Sequence, residues 1–218
     1  MFKRELIEKI GKQVVDDEYS EVCQRESKKT LPCSVYTLDF VSRNLIGKTL
    51  EIGSGSGQNS KTFDIKEALE PCISRVSKNL EQNITLGFSE NIPFMDKTFK
   101  SVLMLDTFDQ LRSNMETLAE INRILVKRGR FIFDCQVSDE FDINYGLVFG
   151  FRNLRRYIED FGFQVVEVRQ DDITGLYCFE KEFDWTPKML GKLQIVKKND
   201  IWVAKNFHPE EPFHSKYL

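Results

Sequence analysis

The chain has 218 residues, 30% charged and 41% hydrophobic, and its 31 basic and 34 acidic side chains are mixed along its length to leave a net charge of −3. That length supports one domain with a full core, and the even spread of charge excludes the broad basic field that holds a nucleic-acid backbone. The five cysteines, Cys23, Cys33, Cys72, Cys135 and Cys178, form no C-x-x-C pair and meet no paired histidines, which argues against both a zinc site and a disulfide framework. No run approaches the roughly 18 apolar residues of a membrane span, and "MFKRELIEKIGKQ" is a charged amphipathic start without the apolar centre of a signal peptide. The expectation is a cytoplasmic protein, a monomer or homodimer, with no nucleic-acid or membrane partner and no metal.

In chain order, residues 1–46 read as an amphipathic helical cap broken near Pro32, with "SVYTLDFVSRNL" its clearest helix. The pattern then changes to short apolar runs suited to buried parallel strands: "TLEI" at 49–52, "EALE" at 67–70, "ITL" at 84–86, "SVLML" at 101–105 and "RFIFDC" at 130–135. Helical spacing separates them, first in Ile73, Val76 and Leu80, then in Met115, Leu118, Ile121 and Leu125. A further helix is signalled by Phe151, Leu154, Ile158 and Phe161, and "FGFQVVEVRQ" gives a sixth strand. In the tail, "LQIVKKNDIWVAKNF" reads as two strands about a Lys-Asn-Asp turn, the second suited to an antiparallel place at the sheet edge. Alternating strands and helices predict a parallel sheet covered on both faces, spanning 47–218.

The turn after the first strand, "LEIGSGSGQNS", places Gly53, Gly55 and Gly57 at every second position behind Glu51. In an open α/β sheet this turn is the usual nucleotide loop, and glycine lets the backbone approach the ligand closely. A Walker phosphate loop requires Gly, four residues, then Gly-Lys-Ser/Thr, and no such run is present. A dinucleotide fingerprint requires a third glycine three residues after the second, where the chain has Gln58 or Ser60. A nicotinamide-dependent oxidoreductase therefore rests on sheet topology alone.

The remaining pattern, Glu51-x-Gly53-x-Gly55-x-Gly57, resembles motif I of the class I S-adenosylmethionine-dependent methyltransferases. "GFSENIPFMDKTFKSVLMLDTFDQL", Gly87 to Leu111, resembles the segment after the third strand in the type 11 methyltransferase domain family, and "ETLAEINRILVKRGRFIF" resembles that family's helix and turn feeding the fifth strand. The resemblance covers residues 48–171. It implies a Rossmann-like three-layer sandwich, with a mostly parallel seven-stranded sheet, an antiparallel edge strand and helices on both faces. The implied cofactor is S-adenosyl-L-methionine, with S-adenosylhomocysteine as product.

The implied cofactor contacts are Glu51, Gly53, Ser54, Gly55 and Gly57 in the first turn, Glu70 and Pro71 after the second strand, Ser89 and Glu90 after the third, and Asp106 after the fourth. Glu70 lies 19 residues after Glu51, close to the spacing of a ribose-binding acid, whose carboxylate accepts both ribose hydroxyls. Phe88 stands where the family usually has an Asp for the adenine amino group. Asp106 and Asp109 are the candidate catalytic carboxylates, while a loop and helix-cap reading of both stays open. Tyr36, Phe108, Tyr145 and Phe149 are candidates for the acceptor pocket, against a reading of ordinary packing. A small-molecule methyl acceptor is expected, since no insertion offers a macromolecule-binding domain; the alternative is a domain that binds the cofactor without catalysis, as a regulatory or partner subunit.

Overall fold

The first described helix, α1 (Val35–Asn44), begins where the Ser34 hydroxyl accepts the Thr37 N–H at 3.0 Å, an N-cap that satisfies one of the helix's orphan donors. A computed structural model of the chain describes residues 34–71, 83–111, 113–136, 151–170, 174–186, 195–198 and 201–204. The expected helices within 1–33, and the one through Ile73, Val76 and Leu80, lie outside these residues. α1 buries Phe40 and Val41, and its Asn44 amide donates to a Glu167 carboxylate oxygen at 2.9 Å, which pins the helix across the sheet.

Seven strands form one sheet: β1 (Thr49–Ile52), β2 (Glu67–Glu70), β3 (Asn83–Leu86), β4 (Phe99–Met104), β5 (Leu125–Gln136), β6 (Phe163–Gln170) and β7 (Thr174–Lys181), in the order β3-β2-β1-β4-β5-β7-β6. Strands β1 to β5 pair in parallel, and β7 runs antiparallel to both neighbours, β5 and β6. The winding direction reverses at β1, whose two neighbours are β2 and β4. All four residues of β1 are buried, as a strand covered on both faces requires. Among the described residues, the helices between the strands are α2 (Gln58–Thr62), α3 (Asn114–Ile124) and α4 (Phe151–Asp160).

Period-two alternation divides the core. Val102, Met104, Phe131 and Phe133 face α3 and α4, together with Leu118, Ile121, Leu154 and Ile158. Leu103, Leu105 and Ile132 face the other way, against Phe40 and Val41 of α1. Rings concentrate on the first face, where Phe133 stacks on Phe131 at 4.6 Å and on Tyr177 at 5.1 Å between centroids.

The sheet is the seven-stranded, mostly parallel one that the sequence predicts. The antiparallel strand, however, is β7, and it lies one place in from the edge. Ile201–Ala204, expected at the sheet edge, pairs instead with Ile195–Lys198 in a separate two-stranded hairpin. The reason is burial: Leu176, Tyr177, Cys178 and Phe179 of β7 are all buried, so the strand offers an apolar side to each face of the sheet and fits an interior position.

Candidate cofactor and acceptor site

The glycine turn leaves β1 at its carboxyl end, beside the switch in winding. Gly53, Gly55 and Gly57 have φ of 72°, 55° and 79°, left-handed values that L side chains rarely adopt. At Gly53 there is a second constraint, because a Cβ there would lie 2.6 Å from Thr107 Cγ2. The turn after β4 thus packs directly on the turn after β1. The Gly53 N–H donates to Leu69 O at 2.8 Å and the Gly57 N–H to Ser54 O at 2.8 Å, closing the loop over β2. The Ser54 hydroxyl is buried and has no hydrogen-bond partner among the described residues.

Two carboxylates lie beneath this turn in different settings. Glu70, at the end of β2 and buried, accepts the Gly55 N–H at 2.7 Å, so the turn and the candidate ribose acid are in direct contact. Glu51 is 1% exposed and holds the Ser60 hydroxyl of α2. Burial pushes its carboxyl up to about 7, against hydrogen bonds from Ser60 and Asn59 that favour the charged form. Its bond is to the loop's own helix, so Glu51 supports the turn from below. Pro71 follows Glu70, half-buried.

The segment after β3 is fastened to α3. The Ser89 and Thr117 hydroxyls are 2.8 Å apart, and Glu90 accepts the Ser113 N–H at 3.2 Å. Arg123 donates to Ile92 O and Phe94 O, each at 2.8 Å, and pairs with Glu120 and Asp96. Ser89 and Glu90 therefore come to the same edge of the sheet as the glycine turn.

Beyond β4 lies a different chemistry. Asp106 is exposed and has φ of 50°, unusual for a residue with a side chain, and its N–H donates to Asp134 Oδ1 at 2.7 Å. Asp109, on the short 3-10 turn Phe108–Gln110, accepts the Cys135 thiol at 3.0 Å. Asp134 and Cys135, at the end of β5, thus reach the two candidate catalytic acids from one strand. Burial, then the charges of Asp106 and Asp109, push Asp134 up to about 8. Burial also raises the Cys135 thiol, which makes it a poor nucleophile.

Phe108, expected in the acceptor pocket, is fully buried, with its ring 4.7 Å from that of Phe133, and belongs to the core. Tyr36 is 46% exposed on α1, beneath the Arg169 guanidinium at 5.2 Å from its ring centre. Tyr145 and Phe149 lie outside the described residues. Thr107 and Asp134, which the sequence did not single out, contact Gly53 and Asp106; for Asp134 the signal was a carboxylate closing an otherwise apolar run, "RFIFDC". Among the described residues no group of metal-ligating side chains gathers, and no helix is long and apolar enough to cross a membrane.

Residues 50–133 match the family model described as a methyltransferase domain. The chain is 28% identical over 128 residues to "Putative methyltransferase YrhH" of Bacillus subtilis, covering 52% of this chain and 71% of that protein. It is 25% identical over 97 residues to an uncharacterized protein of Methanocaldococcus jannaschii, a match spanning 44% of this chain and about half (47%) of that relative. A solved Thermotoga maritima structure, described as a "SAM-dependent methyltransferase, possible histamine N-methyltransferase", superposes with a TM-score of 0.61 at 18% identity, over 79% of this chain and 99% of that one. A Haloferax volcanii methyltransferase, solved in complex with the Trm112 methyltransferase activator, gives a TM-score of 0.62 at 16% identity, over 78% and 98%. Residues 50–133 thus carry a methyltransferase-domain match, and the fold is that of solved S-adenosylmethionine-dependent methyltransferases.

The site fits the cofactor that the methyltransferase-domain match implies. The left-handed glycines expose backbone where a side chain would stand, and Ser54 keeps a buried hydroxyl without a partner at the same turn. Across that turn the methyltransferase domain sets the buried carboxylate of Glu70.

Proposed function

We propose that the chain is an S-adenosylmethionine-dependent methyltransferase acting on a small-molecule acceptor. The contact between Glu70 and the Gly55 N–H carries this reading, because it places an acid at the end of β2 against the glycine turn after β1, where the ribose of an adenosine ligand would be held. In that role Glu70 receives ribose hydroxyls, the glycine turn gives backbone contact, and Ser54 offers its hydroxyl. The segment Phe88 to Glu90 borders the adenine. When bound, S-adenosylmethionine supplies a methyl group already activated by the sulfonium charge. The protein's share is then to orient the acceptor and exclude water. In this reading Asp106, exposed beyond the end of β4, accepts a proton from an acceptor that must lose one.

A second reading is a cofactor-binding subunit that acts through a partner, supported by the likeness to a Haloferax protein solved with an activator. The two are separated by incubating the purified protein with methyl-labelled S-adenosylmethionine and separate small-molecule, protein and RNA fractions. Label entering the small-molecule fraction is the expected outcome. Cofactor binding with no label in any fraction would favour the partner-subunit reading.

A further inference from the structure

We propose that Asp134 is a positioning residue, which holds the Asp106–Thr107 turn against Gly53 and so keeps the cofactor turn in its binding shape without touching the ligand. The inference rests on the methyltransferase reading above and adds to it a residue that none of the motifs contains.

The contacts form one continuous line. Asp134 Oδ1, at the end of β5, accepts the Asp106 N–H at 2.7 Å. That bond fixes Asp106 at φ of 50°, a conformation unfavourable for a residue with a side chain unless the surroundings impose it. The next residue, Thr107, is tied to Leu105 O at 2.8 Å and leaves no room for a Cβ at Gly53. Gly53 in turn is bonded through its N–H to Leu69 O, one residue before Glu70. Three strand ends, those of β5, β4 and β1, are therefore registered on one another through a single carboxyl. The Gln110 side-chain amide, which donates to Asp106 O at 3.0 Å, holds the carbonyl side of the same residue. Asp109 is engaged separately, on the Cys135 thiol, which leaves Asp134 as the carboxyl bonded to the Asp106 N–H.

Asn at this position keeps an oxygen that accepts the amide, whereas Leu keeps the volume and loses it. The test compares the parent with Asp134→Asn and Asp134→Leu, with Asp134→Ala as the truncation to use if the Leu variant fails to fold. Amide hydrogen exchange at Asp106 and Thr107 is read by NMR, and S-adenosylhomocysteine affinity by calorimetry. The expected result is protection of the Asp106 amide in the parent and in Asp134→Asn, exchange at least about tenfold faster in Asp134→Leu, and affinity about five- to twentyfold weaker in Asp134→Leu alone. Asp134→Leu matching the parent in exchange and affinity would overturn the proposal, and so would Asp134→Asn falling as far as Asp134→Leu. A parent that does not bind S-adenosylhomocysteine would sink the methyltransferase reading, and the exchange comparison would still decide whether Asp134 holds the turn.

Discussion

The two ends of the sheet are built on opposite terms. Toward the carboxyl ends of the parallel strands lie Glu51, Glu70 and Asp134, two of them with carboxyls pushed up by burial, and Gly53, Gly55, Gly57 and Asp106 all have left-handed backbone. At the other end, Lys181 is 1% exposed, yet its ammonium donates to Asn122 O at 2.7 Å and Leu125 O at 3.0 Å and pairs with Asp184 at 2.6 Å. Asn122 also donates to Phe161 O and accepts the Trp185 N–H. Every donor of the buried cation is used at one end, while at the other left-handed backbone and buried carboxyls accumulate. The lesson is a division of labour: the Lys181 end secures the fold, and the glycine-turn end carries the conformational cost of its left-handed backbone.

The largest effect is expected from breaking the strained end. Gly53→Ala adds a Cβ against Thr107 at a positive φ and should weaken S-adenosylhomocysteine binding on the order of 100-fold by calorimetry, with the far-ultraviolet spectrum retained. Breaking the other end should do the reverse. Lys181→Met leaves two buried carbonyls without their donor and should cost about 3 kcal/mol in urea unfolding, with affinity within about twofold of the parent while folded.

The comparison also has a pH signature. Glu51 titrates near 7 in the folded chain and near the ordinary 4.5 when unfolded, so between these values the folded state holds more protons. Stability from this group is therefore full below about pH 4.5 and falls as pH rises toward 7; Asp134 extends the fall toward 8. Urea unfolding of Glu51→Gln at pH 5 and pH 8 should show a smaller difference than the parent. A steeper one would mean that the carboxyl is ionised in the fold.

Smaller effects sharpen the boundary. Arg123→Ala releases Ile92 O and Phe94 O and should cost about 1 to 2 kcal/mol, with a loss of cofactor affinity of a few-fold through the Ser89–Glu90 segment. Tyr36→Ala, at a half-exposed ring on α1, should change stability by less than about 0.5 kcal/mol and leave S-adenosylhomocysteine binding unchanged, since the ring lies against the Arg169 guanidinium.

Much of this was readable in the chain itself. Glycines at every second position announce a turn that only their backbone freedom allows, and the acid 19 residues beyond Glu51 meets that turn as the spacing suggests. Short apolar runs located β1, β2, β3, β4 and half of β5, and "FGFQVVEVRQ" located β6. Strand β7 was not legible, because "TGLYCFEK" earns its inner place by pairing with β5 and β6, a long-range effect that local pattern does not encode. Phe108 misled for a related reason: a ring one residue beyond a pocket turn is as good a core residue as a pocket wall, and only packing on Phe133 decides. Asp134 read as a strand end, since its value lies in the amide of a residue 28 positions away.

The most direct test of the account is calorimetry of S-adenosylhomocysteine with the parent and with Glu70→Ala, using NAD as the control ligand. The account expects micromolar binding to the parent, at least about tenfold weaker binding to Glu70→Ala, and none for NAD. Equal affinity in parent and variant, or preference for NAD, would contradict the assignment of the glycine turn and Glu70 to an S-adenosylmethionine site.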